Sequence, residues 1–176
     1  MRKALILLTV LAGLSVAMPL SAKEAPPPAN PLIDYDGFVA LTQDVGPYRA
    51  KRLLNVADFK RESVAPNALL LDARSAEAFR QGHIAGAVNL PLPDFTAESL
   101  ARVIGSDTNR PIYIYCNNNF RNNIAPVVTK SRPLALNIQT FVNLVGYGYK
   151  QVWELGEAID MNDPAIGWVR GQPTQG

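Results

Sequence analysis

Four consecutive β-branched or aromatic residues, Ile112-Tyr113-Ile114-Tyr115, stand between Pro111 and Cys116. The run is too short for a helix and apolar throughout, which describes a strand buried on both faces. Such a strand belongs in a parallel sheet, and a parallel sheet needs helical layers on both of its sides. The run ends at Cys116, the one cysteine of the 176-residue chain. A polar loop, Asn117-Asn118-Asn119-Phe120-Arg121, follows at once. The carboxyl end of a strand in an open α/β sheet is where such folds place their sites.

The flanking sequence supplies the alternation that this sheet requires. Arg52 to Leu54 reads as a short strand, and Asn55 caps a helix Val56 to Glu62 with Asp58 in its first turn. Ala68 to Leu71 reads as a buried strand ending at Asp72. Ser75 caps a helix Ala76 to Gln81 that Gly82 terminates. Ala87 to Leu90 is a further strand, closed by Pro91 and Pro93. Asp94 caps a helix Phe95 to Ile104, stopped by Gly105. After the strand Ile112 to Tyr115, a helix is expected from about Arg121, interrupted at Pro133, and a second runs Ile138 to Val145. Val152 to Leu155 is the last strand. The pattern predicts an α/β fold with a mostly parallel central sheet and helices on both faces.

Met1-Arg2-Lys3 followed by the apolar stretch Ala4 to Leu20 and the small residues Ser21-Ala22 is the pattern of a secretory signal peptide, cut after residue 22. Residues 23–31 form a proline-rich linker, 32–49 an N-terminal extension packing on the domain, 50–158 the folded domain and 159–176 a C-terminal tail, expected to be loosely attached from Asp163 onward. The expected destination is outside the cytoplasm, in the periplasm. Without Arg2 and Lys3 the 17 basic residues become 15, equal to the 15 acidic ones. A neutral domain lacks the basic footprint that nucleic acid or an anionic membrane surface would need. One cysteine forms no internal disulfide, so the thiol is free or pairs with another molecule. One histidine and one cysteine build no zinc site, and neither a metal nor a cofactor is expected.

Asparagine tolerates positive φ, so Asn117, Asn118 and Asn119 suit a loop that folds back tightly with its N–H groups pointing inward. Such a nest leading into a helix N-terminus binds anions, and a thiolate at its centre would be favoured over the thiol. Arg121 adds a fixed positive charge with a forked set of donors. Cys116 and Arg121 are therefore the candidate catalytic residues, with Asn117, Asn118, Asn119, Phe120 and Asn122 as the substrate-binding loop. Phe120, apolar within a polar loop, would form a lip that screens the sulfur from water.

Three stretches together resemble the rhodanese (sulfurtransferase) family: Leu69-Leu70-Leu71-Asp72-Ala73-Arg74, the run from Gly82-His83-Ile84-Ala85-Gly86-Ala87 to Val88-Asn89-Leu90-Pro91, and Tyr115-Cys116 with its loop. The resemblance implies the rhodanese fold and a persulfide carried on Cys116 within a cradle of Asn117 to Arg121. It implies a small sulfur-donor anion such as thiosulfate, a thiol or cyanide acceptor, and a possible protein acceptor of sulfur. Counting Cys116 as the first loop residue, Arg121 is the sixth; the related phosphatases use one residue more, and the seventh here is Asn122. The shorter loop favours sulfur over phosphate.

Asp72, Arg74 and His83 read as structural residues of that motif, Asp72 and Arg74 pairing or capping backbone at a strand end. Relative to the family, Asn119 stands where a glycine is usual, and the loop carries one cation where many active members have more. About a dozen extra residues, including Ser131-Arg132-Pro133, follow Arg121 and are expected to edge the mouth of the site. The alternative reading is a catalytically weak module that binds a partner or shuttles sulfur to it.

Overall fold

The computed structural model describes residues 30–171. The expected signal peptide and all but the end of the linker lie outside these residues. No helix among them is long and apolar enough to cross a membrane.

The chain folds in the order α1 (Tyr35–Ala50), β1 (Leu53–Leu54), α2 (Val56–Ser63), β2 (Leu69–Asp72), α3 (Ala76–Gln81), β3 (His83–Ile84), β4 (Val88–Asn89), α4 (Ala97–Ile104), β5 (Ile112–Tyr115), α5 (Leu136–Gly146), β6 (Val152–Leu155) and β7 (Trp168–Val169). Five strands form one sheet in the order β1-β6-β5-β2-β4, every pair parallel. β5, the apolar run that ends at Cys116, lies at its centre and is buried over its full length.

Alternation of side chains divides the core in two. On one face Leu69, Leu71, Ile112, Ile114 and Val152 meet Val45 of α1, Leu100 and Ile104 of α4, and Phe141 and Leu144 of α5. On the other, Leu70, Tyr113, Tyr115 and Leu155 meet Phe59 of α2, Ile84, Phe120, Val127 and the 159–166 segment. Each such aliphatic or aromatic side chain, once fully buried, stabilises the fold by roughly 1.5–3 kcal/mol.

Local signals set most boundaries. Asn55 caps α2 through Asp58 N–H, and Ser75 caps α3 through Ala78 N–H. Gly82 ends α3 with φ 167°, an extended backbone open to any residue. Its lack of a side chain serves space instead, since a Cβ there would lie 2.6 Å from the Trp168 indole nitrogen. Gly86 is different: its φ of 82° closes the turn in which Ala87 N–H donates to Ile84 O at 3.0 Å.

Three expectations are corrected, those for α4, for a helix at Arg121 and for the tail, and that of an N-terminal extension packing on the domain gains an element. α4 starts at Ala97, because Pro91 and Pro93 hold Leu92–Asp94 in a 3-10 turn and Thr96 and Ser99 cap each other reciprocally. No helix begins at Arg121: Phe120 is extended and bridged to Ile159, and Asn123 takes φ 46°. The extension before residue 50 is a helix, α1, packed on α5. The tail is no loose appendage up to Gly171, since Ile159, Met161 and Ile166 are core residues and β7 pairs antiparallel with β3.

Candidate active site

Cys116 follows β5 directly and closes its backbone into a single 3-10 turn, Asn117–Asn119. Cys116 N–H donates to Asn119 Oδ1 at 2.9 Å, while Asn119 N–H donates back to Cys116 O at 3.2 Å. Asn118 N–H donates to the sulfur at 3.4 Å. The first backbone N–H groups of α5, those of Leu136 and Asn137, also face Sγ. An anion-stabilising helix start is therefore present, but it comes from about twenty residues further along the chain.

The sulfur is not an exposed thiolate. Cys116 is 1 % exposed. Burial pushes its thiol above the ordinary range, and the nearby charge of Glu154 acts the same way; the N–H groups of Asn118, Asn137 and Leu136 oppose them without reversing the sign. The expected lowering is corrected accordingly.

The loop asparagines serve through their amides, and none of Asn117 to Asn119 has positive φ. Asn117 Nδ2 donates to Val128 O at 2.8 Å. Asn118 pairs with Lys130 twice, Nδ2 donating to its carbonyl at 2.9 Å and Oδ1 accepting its N–H at 3.0 Å. Asn119 Nδ2 donates to Leu155 O at 2.7 Å and Glu157 O at 3.1 Å, tying the turn to the end of β6. The extra residues after Arg121 are thereby fastened over the turn. Beside them a cleft of about 240 Å3 is lined by Ser75, Pro91, Pro93, Asn117, Lys130 and Leu136, among others.

Arg121, Phe120 and Asn122 leave the expected cradle. Arg121 is exposed, its N–H donates to Ile159 O, and its guanidinium acts on Asp160. Hydrogen bonds from Asn122 and Asn162, together with that charge, hold the Asp160 carboxyl below the usual range. Phe120 is no lip: it is buried on the face opposite Cys116, edge-on to Tyr115 and Trp168. Asn122 holds Asp160 Oδ1 and Met161 N–H. The reason is common to all three, for Phe120 runs extended beside Ile159 and carries its neighbours to that side.

Asp72 and Arg74 form a buried ion pair, with the guanidinium also donating to Gly82 O and Pro126 O. Tyr115 Oη donates to Asp72 Oδ2 at 2.6 Å and accepts Ile84 N–H at 3.0 Å. His83 stacks on Phe79 and its Nδ1 lies 2.9 Å from Phe79 O, so its ring is engaged with α3.

Sequence reasoning missed Asn137, Glu154 and Arg49. Asn137 Nδ2 donates to Asn119 Oδ1 at 3.0 Å and to Glu154 Oε1 at 2.9 Å. Arg49 holds Glu154 in turn. A glutamate inside an apolar strand, Val152-Trp153-Glu154-Leu155, was the one signal that could have drawn attention to them.

Among known proteins, one curated relative is a TBC domain-containing protein kinase-like protein of Gallus gallus, 34% identical over 70 residues, which are 39% of this chain and 7% of that protein. The chain thus matches only a small fraction of that relative's length. Among solved structures, the rhodanese-like domain of the Alr3790 protein from Anabaena sp. is 18% identical, covering 71% of this chain and 83% of that one with a TM-score of 0.49. The BH2092 protein of Bacillus halodurans is 19% identical over 66% of this chain and 75% of its own, with a TM-score of 0.42. The family model of the Rhodanese-like domain matches residues 55–157, a span from the cap of α2 to just past β6 that contains Cys116 and its turn, and the chain belongs to that family.

Proposed function

We propose that the protein transfers sulfane sulfur through a persulfide on Cys116. The observation that carries this reading is a lone cysteine at the carboxyl end of the central strand whose sulfur accepts Asn118 N–H at 3.4 Å, with the N–H groups at the start of α5 acting on it in the same sense. In the first half-reaction the Cys116 thiolate attacks the outer sulfur of thiosulfate. The S–S bond breaks and sulfite leaves with its electron pair. The anionic outer sulfur of the persulfide is held by the same N–H groups. An acceptor thiolate or cyanide then takes that sulfur and Cys116 leaves as thiolate. The cleft lined by Asn117, Lys130 and Leu136 adjoins the turn of Cys116 and supports approach of small reactants from that side.

Incubation with thiosulfate followed by intact-mass measurement tests the reading. A gain of about one sulfur atom is expected, and none in Cys116→Ser. No gain in either protein overturns it.

The burial of Cys116 and the fastening of Val128 and Lys130 over its turn favour a second reading, in which steady-state turnover of thiosulfate is slow and sulfur passes to a protein acceptor. Persulfide that forms once but turns over slowly with cyanide, and quickly with a protein thiol, supports this version. Export to the periplasm belongs to the same proposal and rests on the leader-like residues 1–22. N-terminal sequencing of the protein from a periplasmic fraction checks it, with a start at Lys23 expected.

A further inference from the structure

The family match begins at residue 55, yet a side chain from before it is wired to the site. On α1, Arg49 Nε donates to Glu154 Oε2 and Arg49 Nη2 to Glu154 Oε1, each at 2.6 Å. Glu154 Oε1 also accepts from Asn137 Nδ2 at 2.9 Å. The second hydrogen of that amide goes to Asn119 Oδ1 at 3.0 Å, the same oxygen that accepts Cys116 N–H at 2.9 Å. An unbroken chain of hydrogen bonds therefore runs from α1 to the backbone of Cys116.

The orientation of Asn137 shows what the chain is for. Its Nδ2 faces two acceptors, and its own Oδ1 is buried without a partner. An orphaned buried carbonyl is unfavourable. It is tolerated here because both hydrogens of the amide are engaged by the carboxylate and by the turn. Fixing Asn137 in this way also fixes the first turn of α5, whose N–H groups face the sulfur.

A carboxylate in this place carries a penalty of its own, since its charge acts on the neighbouring thiol. We propose that Arg49 is a positioning residue for Cys116: it neutralises Glu154, so that the carboxylate can hold Asn137 and the start of α5 against the sulfur without setting an unbalanced negative charge beside it. The groups facing Glu154 are Arg49 from α1, the Asn137 amide from α5 and Cys116 at the end of β5. Those facing the sulfur are Glu154 and the N–H groups of Asn118, Leu136 and Asn137. The inference concerns the thiol itself and holds whatever donor supplies the sulfur.

The test is the pH profile of Cys116 alkylation by iodoacetamide in the full chain, read from a single cysteine without ambiguity. Arg49→Met is expected to move the profile to higher pH, and alkylation at a fixed pH below the midpoint then slows about tenfold each time the midpoint rises by one pH unit. Glu154→Gln is expected to move it to lower pH. The double variant is expected to undo the slowing caused by Arg49→Met, because the charge to be neutralised is gone. An unchanged profile in folded Arg49→Met, or a double variant as slow as Arg49→Met alone, overturns the proposal. If Arg49→Met does not fold, Glu154→Gln decides the matter: a profile displaced to lower pH supports the proposal and an unchanged one overturns it. Sulfur uptake from thiosulfate is a separate readout, so loss of transfer with the alkylation changes intact counts against the proposed reaction and leaves the role of Arg49 standing.

Discussion

Asp72–Arg74 and Glu154–Arg49 bring the same two functional groups to opposite faces of one sheet, and they differ in closure. Asp72 and Arg74 are two residues apart and buried to 0 % and 1 % side-chain exposure. The guanidinium spends its donors on Asp72, Gly82 and Pro126, and Tyr115 takes up a further position on the carboxylate. Glu154 and Arg49 come from elements more than a hundred residues apart, and the guanidinium is 26 % exposed. Its carboxylate is shared with Asn137 and through it with the turn of Cys116. A closed pair fastens strand, turn and inserted segment together. An open pair, with water on one side and the reactive turn on the other, is suited to adjusting a site.

The sharpest way to break that contrast is to remove each cation in turn. Arg74→Met leaves Asp72 charged and unpaired in the core, and a loss of about 3–5 kcal/mol in unfolding free energy is expected from urea titration. The same change at Arg49 leaves Glu154 near a surface that water can reach, so a smaller loss of about 2–3 kcal/mol is expected. Equal losses would show that closure does not separate the two pairs. Tyr115→Phe sharpens the comparison further, removing one hydrogen bond to Asp72 and orphaning Ile84 N–H while the ion pair remains. About 1–2 kcal/mol is expected. A loss as large as that of Arg74→Met would make the phenol, not the guanidinium, the principal partner of Asp72.

The closed pair was legible in sequence and the open one was not, for a physical reason. Asp72 and Arg74 lie within one strand end, where local reading expects pairing, and β5 was plain from four β-branched and aromatic residues in a row. The caps at Asn55 and Ser75 were equally local. α1 gave no apolar stripe because it buries only Val45 fully and contains Gly46 and Pro47. A pairing of its Arg49 with a glutamate of β6 is a property of the folded chain alone. The asparagine loop failed in another way. Asparagine serves positive φ and side-chain hydrogen bonding alike, and only the placement of Val128, Lys130 and β6 decides between them. Arg121 was placed by counting along the loop, but the bridge between Phe120 and Ile159 turns the chain away before the count is complete.

Tyr115 and Cys116 are neighbours in sequence and point to opposite faces, so each reports on one of the two pairs. Their acidities are set alike. Burial pushes the Tyr115 phenol up, Asp72 pushes it further, and Arg74 opposes. Burial pushes the Cys116 thiol up, Glu154 adds to it, and backbone N–H groups oppose. A group whose folded-state pKa is raised stabilises the fold fully below its unfolded pKa and loses that contribution as pH rises through the folded value. Neither group affects the slope of stability with pH near pH 7 by this route, which makes the effect the smallest of the set under ordinary conditions. Above about pH 8.5, where an unfolded thiol ionises, stability begins to fall, and above about pH 10 the phenol joins in. Urea midpoints measured from about pH 7 to about pH 11 are therefore expected to show Cys116→Ser losing the first part of the decline and Tyr115→Phe the later part. If Cys116→Ser keeps the whole slope between about pH 8 and pH 10, burial and the Glu154 charge together do not raise the thiol above its unfolded value, and the acidity of the sulfur is not set by the face on which the open pair lies.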